Sequence, residues 1–223
     1  MSLAYDFDTP VRAVQTSRSV ACNETLDLME RMGVRLVFAK DEEVYGQDEA
    51  ADLIYRVVKG AVRTSRLMSD GRRQIGDFHY QGDLFGLECG DTHAFSAEAL
   101  GDCVILMVKR SALRASGAAE SLDRLIWDTT VRDLRRAQEH VMLLGRKTAC
   151  ERVASFLLNL SDNADDDAID LPMGRQDMAD YLGLTIETVS RMLTQLQGSS
   201  VVEFTCARKF RVRNPAALAR LAD

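Results

Sequence analysis

Residues 174–197 read GRQDMADYLGLTIETVSRMLTQLQ, two short amphipathic segments that meet at a glycine. Met178, Leu182, Leu184, Val189 and Met192 carry the apolar pattern, while Ala179 and Gly183 stand where bulk would be excluded. Each residue has a structural task. Ala179 lets a second helix cross close to the first, Gly183 supplies a left-handed turn conformation, and Val189 anchors the second helix in a core. Thr185 is placed to cap that second helix, its hydroxyl accepting from the backbone of Thr188. The pattern predicts a helix-turn-helix. On the second helix Glu187, Ser190, Arg191 and Thr194 lie three and four apart, so they share the face opposite Val189 and Leu193. That face has the chemistry to read bases in a major groove. A carboxylate accepts from the cytosine amino group, an arginine binds guanine through two parallel bonds, and Ile186 suits a thymine methyl. The competing use of Glu187 and Arg191 is a surface pair on one helix, worth only ~0.3–0.5 kcal/mol.

Downstream, Val201 to Val212 alternates around Ala207 and predicts a β-hairpin carrying Arg208, Lys209 and Arg211, the wing of a winged helix. Arg208, Lys209, Arg175, Thr185, Thr188 and Thr194 are the candidate backbone contacts, which position a helix without reading sequence. The net charge of −6 runs against a polyanion partner. Its distribution reverses that inference, because residues 171–223 hold seven basic and five acidic side chains, net +2. Acid gathers instead at Asp162, Asp165, Asp166, Asp167 and Asp170, read as a solvated loop.

Upstream, short apolar runs separated by glycines predict strands at Val34 to Ala39, Leu53 to Val58, Ala61 to Leu67, Arg73 to Tyr80 and Cys103 to Val108. Asp70-Gly71 marks a hairpin, with a type I′ turn expected. From Ala118 no glycine intervenes before Gly145, which predicts one long helix. Trp127, Thr130, Leu134, Ala137, Val141 and Leu144 recur along it at steps of three and four, the spacing of a coiled-coil seam. Such a seam packs either on the chain's own β domain or on a second copy, and the helix length favours a symmetric homodimer. A further helix is expected over Ala149 to Leu160. The expected architecture is α+β: an N-terminal arm (1–24), a β roll (25–117), a dimerisation helix (118–147) and a winged helix-turn-helix (148–223).

The longest wholly apolar run, Cys103 to Val108, is far short of the ~20 residues of a membrane helix. With no apolar segment behind a basic start, the expected location is the cytoplasm. Cys22, Cys89, Cys103, Cys150 and Cys206 lack metal-site spacing, and no nucleophile–base pair or phosphate loop stands out, so neither a metal nor an enzymatic activity is expected.

In this order of parts, with Gly82-Asp83-Leu84-Phe85-Gly86 in the roll, Gly174-Arg175-Gln176-Asp177 and Glu187-Thr188-Val189-Ser190-Arg191, the chain resembles the Crp-Fnr family of bacterial regulators, most closely the Fnr and FixK branches. The resemblance implies a cyclic-nucleotide-binding-like roll. It also implies a homodimer on an inverted repeat of TTGAT-like half-sites, recruitment of RNA polymerase, and low-oxygen or nitrogen-oxide control. Glu187, Ser190 and Arg191 fall at the matching base-reading positions. Two departures bear on cofactors. Leu87 follows Gly86 where cyclic-AMP binders have glutamate, and His93-Ala94 stands near their arginine. The N-terminal arm offers only Cys22, too few thiols for an iron–sulfur cluster. Binding without a cofactor is therefore expected. Rival readings are haem on His79, His93 or His140, oxidation of Cys206 in its basic hairpin, and a roll that serves only to bind another protein.

Overall fold

The computed structural model describes residues 20–88, 90–162 and 168–223, with side chains from residue 25 onward. Residues 1–19 of the expected arm, the Cys22 side chain, Cys89, and Asp165, Asp166 and Asp167 of the acidic stretch lie outside the described residues. The first element is a helix, α1 (Val20–Met32), which crosses the boundary expected at residue 24. Met29 is fully buried beneath it, and Leu26 nearly so.

Eight strands follow: β1 (Val34–Phe38), β2 (Glu43–Tyr45), β3 (Leu53–Lys59), β4 (Val62–Leu67), β5 (Arg73–His79), β6 (Leu84–Phe85), β7 (Ser96–Ala99) and β8 (Cys103–Lys109). They form two antiparallel sheets, ordered β1-β8-β3-β6 and β2-β7-β4-β5. Inward-facing Tyr45, Tyr55, Val57, Val62, Phe85 and Ile105 fill the space between them. All five expected strands are present to within a residue or two at their ends. The β4–β5 hairpin is also present, but its turn is not type I′. Leu67 pairs with Arg73, leaving five residues in the loop, and only Gly71 of that loop has positive φ. Backbone bonds close the loop, from the Met68 N–H to the Arg72 carbonyl at 2.8 Å and from the Gly71 N–H to the Met68 carbonyl at 2.9 Å, while the Asp70 carboxylate accepts from the Arg72 N–H within it at 3.0 Å.

A short helix, α2 (Arg110–Leu113), and a π-helical turn bent at Gly117 (φ 85°) lead into the long helix α3 (Ala119–Arg146). Leu122, Leu125 and Thr129 are its buried residues, and the two leucines pack with α1. Then come α4 (Ala149–Asp162), β9 (Ile169–Asp170), α5 (Arg175–Leu182), α6 (Ile186–Gly198), β10 (Val202–Cys206), β11 (Lys209–Val212) and α7 (Pro215–Ala222). The roll and the C-terminal unit share one apolar core. Phe78 of the roll lies 5.1 Å from the Tyr181 ring and 6.1 Å from Phe156, and His140 of α3 meets Tyr181 edge-on at 4.1 Å.

Candidate nucleic-acid interface

The two helices named at the outset are α5 and α6. Gly183 adopts φ 62° between them, the left-handed conformation its position requires, and the next backbone N–H, of Leu184, returns to the Ala179 carbonyl at 3.0 Å. Met178, Ala179, Leu182 and Val189 are fully buried, so the crossing is tight. Thr185 caps α6 as expected, its Oγ1 accepting from the Thr188 N–H at 3.3 Å. Arg152 of α4 braces the unit from behind. Its guanidinium donates to the carbonyls of Leu144 (2.8 Å), Lys147 (2.9 Å) and Leu182 (2.9 Å), satisfying the ends of both α3 and α5.

This frame leaves one face of α6 in solvent. Ile186, Glu187, Arg191 and Thr194 are exposed, and Ser190 and Thr188 half-buried. Glu187 and Arg191 form no ion pair with each other or any other described residue, so the surface-pair use of these charges is not realised. Its own backbone N–H and the Thr185 hydroxyl hold the Glu187 carboxyl below the usual carboxylate range, keeping it an acceptor. Arg175 Nη1 donates to Ser190 Oγ at 3.2 Å, so Ser190 orients that arginine at the edge of the face. The wing forms as β10 and β11, joined through Ala207-Arg208, with Phe210 fully buried beneath it. Arg208 donates to the Pro172 carbonyl at 2.6 Å, Lys209 lies 3.2 Å from Asp170, and Arg213 pairs with Glu203. Such exposed pairs are weak and exchange readily for a phosphate. Arg211 is exposed with no ion pair among the described residues. Cys206 is exposed at the end of β10, opposite Lys209.

The α3 seam divides. Trp127, Leu134 and Val141 stand 69%, 57% and 67% exposed. Ala137 is exposed and Thr130 half-buried, and both also face a cavity against the roll, while Leu144 reaches towards Gly183. That cavity, about 320 Å³, occupies the place where the roll faces α3. Asp77, Glu88 and Asp133 line it, and burial raises the Asp133 carboxyl above its usual range. Among its described lining residues Arg136 is the sole lysine or arginine, already 3.7 Å from Asp77 and 3.9 Å from Asp83. This donor set does not fit a cyclic phosphodiester, whose anion would meet three carboxylates. Gly86 (φ 72°) is required for another reason, since a Cβ there would sit 2.5 Å from Tyr55. His79 lines the cavity, whereas His93 is buried against the Tyr45 ring at 3.6 Å and 3.0 Å from Glu88. No group of metal-binding side chains occurs among the described residues.

Sequence reasoning missed one cluster altogether. Arg63 and Arg73 of the roll converge on Asp177 in the first turn of α5. Their separations of 114 and 104 residues leave no local pattern, and the only signal was an arginine amid the apolar residues of a core strand.

A roll with a long helix and an exposed reading helix beside a wing defines a DNA-binding transcription regulator. Two family models match accordingly: a cyclic nucleotide-binding domain over residues 35–117 and a Crp-like helix-turn-helix domain over residues 151–221. The nitrogen fixation regulation protein FixK of Azorhizobium caulinodans is 44% identical, covering 93% of this chain and 88% of that protein. The transcriptional activatory protein AadR of Rhodopseudomonas palustris is 37% identical over 78% of this chain and 75% of that one. Among solved structures, FixK2 from Bradyrhizobium japonicum superposes with a TM-score of 0.82 at 48% identity, covering 86% of this chain and 98% of that one. The chain belongs to the Crp-Fnr family and is FixK-like within it. Its relatives are named as regulators rather than enzymes.

Proposed function

We propose that the chain is a homodimeric transcription activator that binds an inverted repeat of TTGAT-like half-sites and recruits RNA polymerase, in low-oxygen or nitrogen-oxide-related gene control in the cytoplasm. The observation that carries this reading is that Glu187 and Arg191 on the solvent face of α6 present a hydrogen-bond acceptor and a forked donor that form no ion pair among the described residues. Ile186 and Ser190 complete the base-reading set, while Arg175, Thr185, Thr188, Thr194, Arg208 and Lys209 hold phosphates. Pairing is supported by Trp127, Leu134 and Val141, exposed apolar residues spaced seven apart on one helix. Burying them against a second copy brings two reading helices to one duplex, and two-fold protein symmetry calls for an inverted repeat. Relatives named as nitrogen fixation regulation proteins support a regulatory role.

Sedimentation at micromolar concentration, together with titration of a TTGAT inverted repeat, tests both halves. A dimer that binds the repeat far more tightly than a scrambled duplex is expected. Leu134→Asp should sediment as a monomer and lose the repeat. A wild-type monomer, or equal affinity for both duplexes, would overturn the reading.

A further inference from the structure

Arg63 is only 7% exposed, yet three carboxylates ring it. Its Nη2 lies 3.2 Å from Asp41, its Nε 2.9 Å from Glu98 and its Nη1 3.0 Å from Asp177. Arg73 reaches the same Asp177 oxygen at 2.8 Å and Asp180 at 2.8 Å. The second Asp177 oxygen accepts from the Gly174 N–H at 3.1 Å, at the cap of α5. One carboxylate thus joins the start of the helix-turn-helix to two arginines on neighbouring strands of the roll.

Burying such charges is a poor way to gain stability, since desolvation offsets most of the attraction. Apolar contacts, here Phe78 with Tyr181 and Phe156, already hold the two units together, but they have no preferred direction. Guanidinium forks do, because their donors are fixed in a plane. We infer that Arg63 and Arg73 are positioning residues for DNA recognition: through Asp177 and Asp180 they set the tilt of α5 on the roll. They thereby set the separation at which two copies of α6 meet the duplex, with no small molecule required. This rests on the reading of the chain as a dimer on an inverted repeat. When one half-site is occupied, the second head binds at an effective concentration that depends on how narrowly its orientation is held. Lengthening the spacer by one base pair rotates the second half-site by about 36° and moves it by about 3.4 Å. A fixed head loses that site, and a loosened head follows it.

The test uses the full-length protein on a series of inverted repeats that differ only in spacer length, with Arg73→Gln and Asp177→Asn as variants. Asparagine keeps an oxygen for the Gly174 N–H, so the α5 cap survives. Wild type should prefer one spacing sharply over its one-base-pair neighbour. In both variants that preference should fall at least about fivefold, while the ranking of single-base changes within a half-site stays as in wild type. An unchanged spacing preference in folded variants overturns the inference, as does an equal loss of affinity at every spacing. Should Asp177→Asn fail to fold, Arg73→Gln decides alone, because its side chain lies at the cluster's rim, 27% exposed. If wild type binds no inverted repeat, the DNA-binding reading itself fails and the inference falls with it, an outcome distinct from binding with an unchanged spacing preference.

Discussion

Glu187 and Arg191 are separated by one helical turn, and neither forms an ion pair with a described residue, so both charges face solvent. Arg191→Ala should weaken binding by ~1–3 kcal/mol at the preferred site and lose discrimination at one base pair, measured on a panel of single-base changes. Arg211→Ala is expected to behave differently, weakening all sequences alike and lowering the slope of log affinity against log salt by about 1, as for a phosphate contact. Uniform loss for Arg191→Ala would make it a backbone contact instead. His140, on α3 beside Tyr181, is expected to contribute to the pH dependence of stability. Burial lowers its pKa from 6.5, outweighing the nearby Asp77 and a hydrogen bond to the Tyr181 backbone, so the folded chain binds a proton there less readily than the unfolded chain. Its contribution to stability is therefore complete above pH 6.5 and declines as pH falls through that value towards the lower folded pKa. Thermal melts at pH 7.5 and 5.5 should show a smaller acid-induced drop for His140→Gln than for wild type. Equal drops would mean that other groups carry the response.

Gly183 binds α5 to α6 through a backbone conformation rather than a contact. Gly183→Ala forces a Cβ into φ 62° and should cost ~1–2 kcal/mol, lowering the melting temperature by roughly 2–8 °C by calorimetry. A shift under 1 °C would show that the turn relaxes freely. That turn was legible in the sequence because its signals are local: a glycine at the required offset, a threonine cap and apolar residues at helical spacing. The long helix was legible for the same reason. Ser96–Ala99 was not, since Ser-Ala-Glu-Ala carries little strand preference and becomes β7 only by lying between β2 and β4 with Ala97 and Ala99 fully buried. The Asp70-Gly71 signal pointed to the hairpin but not to its turn, because the same dipeptide serves a five-residue loop, where Gly71 takes the positive φ and Asp70 accepts from the Arg72 N–H. In α7 the signal was present and overlooked: Asn214 accepts from the Ala217 N–H at 3.0 Å and Pro215 opens the helix. The reading face followed from helical spacing, whereas the arginine cluster behind it depends on tertiary proximity that no window of sequence contains.

The roll belongs to the cyclic nucleotide-binding domain family, yet the cavity between it and α3 is lined by Asp77, Glu88 and Asp133. Pairing of two chains would be one route of control, through the stripe of Trp127, Leu134 and Val141 on α3. In the proposed homodimer, burial of these three apolar side chains makes pairing a matter of mass action. While paired chains are the minority, their number grows with the square of the amount synthesised, so doubling the supply gives about four times as many DNA-competent molecules. Promoters read by this protein would then respond steeply to how much of it the cell makes and how quickly it is removed. In a regulator of that form the dose is itself the message.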